Sequence, residues 1–413
     1  MRRRQASIIF IFITLMLDII GLGIIIPVLP ELIKDFVQGN DALAGRWYGI
    51  IASIYAFFQF FFAPILGALS DRYGRRPVIL ISLFGFGIDY LILGFAPNLA
   101  WLVIGRILAG IMGASITTAN AYIADISTPE NRAQNFGLVG VAFGLGFIIG
   151  PVLGGVLGGI SLRLPFFVSA ALVLLNWLYG YFILPESLPE DQRSSFSWAK
   201  ANPVASIRNL GLYPIVLGLA FSFVFISLAQ RGLETVWVLY TGFRFDWGPS
   251  TNGLTLGLVG VMAVLVQGFL IRPIINRMGE RNAILMGFGF SVISFLGYGL
   301  ANQGWMMLVI IVIGSLGGVA GPAIQGLVAG TVKPNEQGVV QGALTSLLSL
   351  TGAFAPLIFT TGLFAYFTSD QAPFILPGAP FLAGAVLIVI AWVLTWRLFR
   401  RIPEAEVEDV AAA

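Results

Sequence analysis

Twelve apolar stretches separated by mostly short polar ones organise this chain of 413 residues. They run over 7–29, 47–69, 78–96, 99–123, 136–158, 165–184, 213–239, 252–275, 283–300, 305–330, 339–364 and 380–398. Most are near the ~20 residues that a helix needs to cross the hydrocarbon of a bilayer. The short alternating strands of a membrane barrel are absent, so the stretches predict helices. The first follows Arg2, Arg3 and Arg4 as a signal peptide would, but it is too long, contains Asp18, and continues to Pro27 and Pro30 without a small-residue cleavage site. It is expected to be a retained helix.

One polar stretch is longer than the rest. It predicts an N-terminal six-helix half over 1–184, a linker over 185–212, and a C-terminal six-helix half with a short tail over 213–413. An internal repeat supports the division. Arg72, Gly74 and Arg76 recur as Arg277, Gly279 and Arg281, a spacing of 205 residues. Pro129 and Pro334 keep that spacing, and so do Pro151 and Pro356. Both halves begin on the same side, so the fold class is an all-α membrane protein of twelve transmembrane helices in two parallel-repeat six-helix bundles. Halves so related belong to transporters that rock about a midplane site.

Composition narrows the chemistry. Residues are 57% hydrophobic and only 10% charged, which no soluble core could accommodate. There is no cysteine and no histidine, which removes thiolate and imidazole metal sites, cysteine nucleophiles and the Ser-His-Asp triad. With no catalytic constellation, no metal cluster and no cofactor motif, the chain reads as a non-enzyme. Any protons must be carried by carboxylates, and a proton gradient would be its energy source.

Charge sets the orientation. Of the 23 Lys and Arg, seventeen fall on the side that carries both termini, four on the other side, and two, Arg106 and Arg231, inside spans. The positive-inside rule then puts both termini in the cytoplasm of a multi-pass inner-membrane protein. The basic residues flank spans rather than cluster, so no nucleic acid is expected. The expected partners are a small-molecule substrate, protons and the bilayer, with the chain working as a monomer.

The stretch Gly67-Ala68-Leu69-Ser70-Asp71-Arg72-Tyr73-Gly74-Arg75-Arg76 resembles the loop 2–3 signature of the major facilitator superfamily. Within it the chain is similar to the tetracycline-efflux branch of twelve-helix drug:proton antiporters, over nearly its whole length. The likeness includes Leu17-Asp18 through Pro27-Val28-Leu29-Pro30, Asp89-Tyr90-Leu91, Gly105-Arg106 with Gly110, Gly146 through Gly155, Thr235 through Leu239, Phe243 through Trp247, and Pro322 through Gly326. The resemblance implies proton-coupled export. It also implies a conformational latch at Gly67, Asp71, Arg72, Gly74, Arg75 and Arg76, and an antiporter helix at Gly146, Gly150, Pro151 and Gly154 between the halves. From the residues alone, three arginines would simply hold a short loop in the cytoplasm, and glycines four apart, with Gly158 as the next, would simply pack a helix closely. Gly67 and Gly74 are expected to allow tight turns and close helix approach, and Asp71 to cap helix 3 or pair with a nearby arginine.

Three carboxylates lie within spans: Asp18, Asp89 and Glu234. An ionised one near mid-span costs roughly 2.5–3.5 kcal/mol on the insertion scale, so each is either paired or functional. Arg106 is a candidate partner for Asp18, and Arg231 lies three residues before Glu234 on one helix face. These five residues are the proton-coupling candidates, with static salt bridges as the alternative. Polar amides within spans suggest a substrate path: Gln59, Asn120, Gln230, Gln267 and Gln325, with Asn176 and Gln341. Some of them would instead be interhelical glue. Gln267 and Gln325 align with substrate-region glutamines of the tetracycline branch. The chain departs from that branch at Ala263, where its best-known pumps have a histidine, and near Ser291, where they have an aspartate. Arg231 and Glu234 add charge that those pumps lack. The leading reading is proton-coupled export of a small amphiphilic molecule by alternating access. The alternatives are a proton symporter or uniporter of a nutrient and, more distantly, a non-transporting receptor.

Overall fold

The structure, a computed structural model, describes residues 8–113, 115–128, 131–194, 214–330 and 337–401. The repeat anchors Pro129 and Pro334, the linker beyond Ser194, the tail and the side chain of Gln341 lie outside the described residues, as do Arg2, Arg3, Arg4, Lys200, Arg208 and Lys333.

Among the described residues there are eleven helical runs long and apolar enough to cross a membrane. One of them, Pro249–Leu300, has 52 residues, and at ~1.5 Å per residue a straight helix of that length would be more than twice the ~30 Å hydrocarbon thickness. It is bent at Gly279, where φ is 77° and ψ is 160°. That backbone conformation suits glycine and ends a helix, so the run is two helices and the total is twelve. In chain order they are α1 (Ile8–Phe36, turning at 26–28), α2 (Asp41–Tyr73), α3 (Arg75–Phe95), α4 (Leu99–Met112 then Ser115–Ile126), α5 (Arg132–Ile160), α6 (Leu164–Ile183), α7 (Pro214–Phe245), α8 (249–278), α9 (280–300), α10 (304–330), α11 (337–367) and α12 (Ala379–Arg401). Gly74, at φ 105°, makes the turn from α2 to α3 as Gly279 makes that from α8 to α9. Both turns fall on the glycines of the sequence repeat.

The helices are less regular than the apolar pattern predicts. α4 is expected as one span but breaks at Gly113, whose φ of −71° and ψ of 28° close the first segment. α8 loosens to a π-turn over Val266–Leu270, and α11 does so over Pro356–Phe364. In α11 the proline lacks the amide that would continue the ladder.

The chain forms two compact units. The first holds residues 1–39, 54–202 and 247–260, and the second holds 40–53, 203–246 and 261–413. Each unit therefore contains a short helical segment from the other covalent half, the start of that half's second helix. In the first unit α1 lies along α5, and α3 lies against α4 and α6. α5 approaches α1 through glycines: a side chain on Gly150 would reach within 2.7 Å of the Gly23 Cα, and those on Gly146 and Gly154 would strike Ile19 and the Ile24 carbonyl. The start of α8 meets α5 one position around the helix. A Cβ on Gly253 would strike the Pro151 carbonyl, and one on Gly159 would lie 2.5 Å from the Ser250 hydroxyl.

In the second unit α7 and α9 both pack on α12. Arg281 donates to the Phe399 carbonyl at 3.3 Å, and a Cβ on Gly299 would lie 2.8 Å from Leu382, so α9 and α12 run antiparallel. The start of α2 meets α11 there. A Cβ on Gly49 would lie 2.6 Å from the Pro356 carbonyl, and one on Gly45 would lie 2.7 Å from the Phe364 ring. Adding 205 to the pair Gly159 and Gly45 gives their partners' counterparts, Phe364 and Ser250. The sequence register is thus also a register of contacts within the units. Large apolar side chains such as Phe95, Ile160 and Phe182 stand exposed, as lipid-facing positions do.

Candidate functional site

The first unit buries two carboxylates, and they have different partners. Asp89, on α3, is ion-paired with Arg106 of α4. Both are buried, and a close pair is the usual way to keep such charges out of water. Asp18, on α1, is 1% exposed and meets no arginine among the described residues. Its Oδ2 accepts a hydrogen bond from the Ser115 hydroxyl at 2.6 Å, and its Oδ1 has no partner among the described residues. The expected Asp18–Arg106 pairing is therefore replaced by Asp89–Arg106. The rotation of α4 turns Arg106 toward α3, and the guanidinium also lies 5.7 Å from the Tyr55 ring. Gly105 makes room for the pair, since a Cβ there would stand 2.7 Å from Asp89 Oδ1.

Among the amide candidates, Gln59 of α2 is half-buried and donates through Nε2 to the Tyr55 hydroxyl at 3.2 Å and to the Gly113 carbonyl at 3.3 Å. Asn120 of α4 is half-buried, and its Oδ1 has no partner among the described residues. Asn176 is buried and donates to the Thr14 carbonyl at 2.8 Å, so it ties α6 to α1 and is not a cavity group. Gln230, Gln267 and Gln325 belong to the second unit and are exposed there, Gln267 within the π-turn of α8. Ser291 spends its hydroxyl on the Gly287 carbonyl at 2.9 Å.

Arg231 and Glu234 pair at 3.0 Å along one face of α7, as their spacing predicts. Their side chains are 55% and 46% exposed, near the middle of a span. Gly232, between them, packs on the Phe359 ring, so the charged face turns away from the packed side of the helix. An exposed ion pair at that depth is incompatible with lipid and fits a water-filled path.

At the α2–α3 turn the latch candidates gather around one carboxylate that the sequence reading left in the linker. Glu186, just past α6, accepts hydrogen bonds from the Arg75 amide at 2.8 Å and the Arg76 amide at 3.2 Å, capping α3. It also accepts from the amides of Ser187 and Leu188, each at 3.0 Å. Asp71 does not cap α3. It sits in the last turn of α2 and pairs with Arg75, the other of its two expected roles. Arg75 also binds Asp125, at the end of α4, at 3.0 Å and the Ser70 hydroxyl at 2.7 Å. Arg76 donates to the Tyr181 carbonyl, and Arg72 is exposed beside the Tyr73 ring. Gly74 is required twice, by its positive φ and because a Cβ would strike the Glu186 carboxylate. Gly67 is not a turn residue. It lies within α2, and a Cβ there would meet nothing within 4 Å. Asp125 and Glu186 were missed because acidic residues at helix ends read as ordinary solvated polar positions; the signal was their place beside the basic loop.

The helix-5 stripe of Gly146, Gly150 and Gly154 packs on α1, within the same covalent half. The meeting with residues 249–260 is made by Pro151, Gly155 and Gly159 and also by Gly158, the next of the stripe, where a Cβ would lie 2.8 Å from Val28 of α1 and 2.9 Å from Pro249.

Comparison with known proteins agrees with this architecture. The family model for the Major Facilitator Superfamily matches residues 11–356. The class C tetracycline resistance protein of Escherichia coli is 40% identical over 354 residues, covering 86% of this chain and 89% of that protein. The class G tetracycline resistance protein of Vibrio anguillarum is 37% identical over 398 residues, covering 96% and 98%. Among solved structures, a D-xylose-proton symporter shares the fold with a TM-score of 0.75 at 17% identity, over 97% of this chain and 98% of that one. The chain belongs to the Major Facilitator Superfamily, in the branch that contains the tetracycline resistance proteins.

Proposed function

We propose that the chain is a secondary active transporter that exports a small amphiphilic molecule across the cytoplasmic membrane in exchange for protons, by alternating access. The observation that carries the coupling is the unequal treatment of two buried carboxylates. Asp89 has its charge neutralised by Arg106. Asp18 has one neutral hydroxyl and one unpaired oxygen. An ionised carboxylate without a cation is costly in such surroundings, so gain and loss of a proton is the economical way for Asp18 to change state. Proton binding then biases the two facings of the transporter, because any ligand that prefers one conformation shifts the balance toward it.

Within the first unit, substrate contacts are assigned to Gln59 and Asn120; within the second, separately, they are assigned to Gln230, Arg231, Glu234, Gln267 and Gln325. The printed names of the relatives make tetracycline the first compound to assay, although Ala263 and Ser291 carry neither the histidine nor the aspartate expected of that branch's best-known pumps. Both termini are placed in the cytoplasm and the working unit is one chain.

The test is uptake driven by a pH gradient in inverted membrane vesicles, with tetracycline and a fluorescent amphiphilic dye as probes. Gradient-dependent uptake that Asp18→Asn abolishes is the expected result. Equal uptake by Asp18→Asn removes the proton role of Asp18. Uptake that survives collapse of the gradient overturns coupled export.

A further inference from the structure

We propose that the groove between the end of α2 and the start of α3 is a binding site for an anionic phospholipid, which lays an acyl chain between the two helices and its phosphate on Arg72. The site lies wholly within the first unit. It is separate from the carboxylates and amides assigned to transport, and it does not depend on them.

The groove follows from the spacing of apolar residues on either side of the turn. Leu66, Leu69 and Tyr73 stand three and four residues apart along α2, so they share one face. On α3, Pro77 and Val78 stand four and three residues before Ile81 and share a face in the same way. The two faces together line a groove of about 440 Å³, apolar but for the Tyr73 hydroxyl. Tyr73 is 53% exposed and Ile81 is 55% exposed, so the groove is open on its outer side. The polar run Ser70-Asp71-Arg72-Tyr73-Gly74-Arg75-Arg76 between two apolar spans sets the turn at headgroup level. From Tyr73 back to Leu66 the wall descends about 10 Å at the helical rise, into the roughly 15 Å of hydrocarbon that one leaflet contributes. A cleft of that direction and lining suits an acyl chain.

Arg72 supplies the charge at the mouth. It is exposed, and its guanidinium carbon lies 5.1 Å from the centre of the Tyr73 ring that lines the groove. It is also the arginine of the turn that the protein leaves over. Arg75 is bound to Asp71 and Asp125, and Arg76 donates to the Tyr181 carbonyl. Arg72 has no ion pair among the described residues. The carboxylates near it are already engaged: Asp71 and Asp125 by Arg75, and Glu186 by the amides of Arg75, Arg76, Ser187 and Leu188. Arg193 adds a further cation beside Gly74, where a Cβ would lie 3.2 Å from its Nη2.

The headgroup class follows from that balance. Every phospholipid carries a phosphate, but a choline or ethanolamine headgroup brings its own cation beside it. A cation at the membrane surface therefore favours the lipid whose headgroup is negative overall. Tyr73, at the same level, has the amphipathic ring that belongs at a bilayer interface.

The absence of cysteine makes a direct test available. Ile81→Cys in the full-length protein gives one site for a bimane label inside the groove, and Phe95→Cys, 71% exposed at the far end of α3, gives a control. Each labelled protein is placed in phosphatidylcholine vesicles. Either dibrominated phosphatidylglycerol or dibrominated phosphatidylcholine with the same chains is then added as quencher. At Ile81→Cys the anionic lipid is expected to reach half-maximal quenching at a mole fraction about five-fold lower, the worth of one basic residue near the surface. At Phe95→Cys the two lipids are expected to quench alike. Arg72→Gln should remove the preference and Arg72→Lys should keep it. At 1 M salt, where the screening length is ~3 Å, it should shrink.

Equal quenching by the two lipids at Ile81→Cys overturns the site. So does the same preference at Phe95→Cys, which is a general attraction to the protein, or a preference that survives Arg72→Gln. Quenching by neither lipid means that protein covers the groove, and this overturns the site as well. A preference indifferent to salt decides against it even if Arg72→Gln fails to fold.

Discussion

A carboxylate oxygen of Glu186 stands 2.8 Å from the backbone amide of Arg75, a residue 111 positions earlier in the chain. The end of α6 thereby caps the start of α3, where the first amides of a helix have no partner of their own. The same carboxylate fills the space that Gly74 leaves open. Glu186→Ala should lower stability by about 1 kcal/mol, the usual worth of such a cap. Gly74→Ala should cost more, because it adds a strained backbone to a clash. Thermal unfolding of both variants in detergent checks the order.

Arg106 and Asp89 should behave as an interdependent pair. Arg106→Ala leaves a buried carboxylate without its cation, and breaking such a pair costs about 3–5 kcal/mol. Asp89→Asn in that background should recover much of the loss. If the double variant is no more stable than Arg106→Ala alone, the pair is not what holds α3 to α4.

The glycines of α5 should divide by position rather than by type. Gly150→Leu and Gly154→Leu should destabilise by at least about 1–3 kcal/mol, because each would press on the backbone of α1. Gly137→Ala and Gly140→Ala, on the same helix, meet nothing within 4 Å and should be neutral or slightly stabilising. Gly67→Ala belongs with the neutral pair for stability. Parallel unfolding curves of the five variants separate the two groups.

The Arg231–Glu234 pair should matter to transport far more than to folding. Its exposure limits its stabilising worth to about 0–1 kcal/mol. Arg231→Gln and Glu234→Gln should therefore unfold near the wild-type temperature while vesicle uptake of the transported probe changes at least several-fold. Unchanged uptake by both would remove the pair from the substrate path.

The spans and the repeat were legible because each depends on neighbours in sequence: an apolar run, or a turn glycine in phase with another. Arg231 and Glu234 were legible for the same reason, since three residues along one helix is a fixed geometry. The partner of Arg106 was not. Asp18 and Asp89 are both span carboxylates, and only the rotation of α4 against α1 and α3 decides which of them takes the guanidinium. Ser115 was hidden similarly, because a serine in a span reads as ordinary until a break in the helix turns it toward a carboxylate. Gly67 shows the converse error, in which a motif glycine sits where any small side chain would fit.

The two crossed segments have a consequence for how the protein is made. Helices α1 to α6 leave the ribosome before residues 249–260 exist, so the face of α5 around Gly155 and Gly159 must wait for its cover. Residues 40–53, among the earliest synthesised, wait longer still, until α11 arrives near the end. Neither bundle can finish packing while the nascent chain is incomplete. A truncated product would therefore carry an unfilled glycine face in the bilayer, a ready mark for quality control.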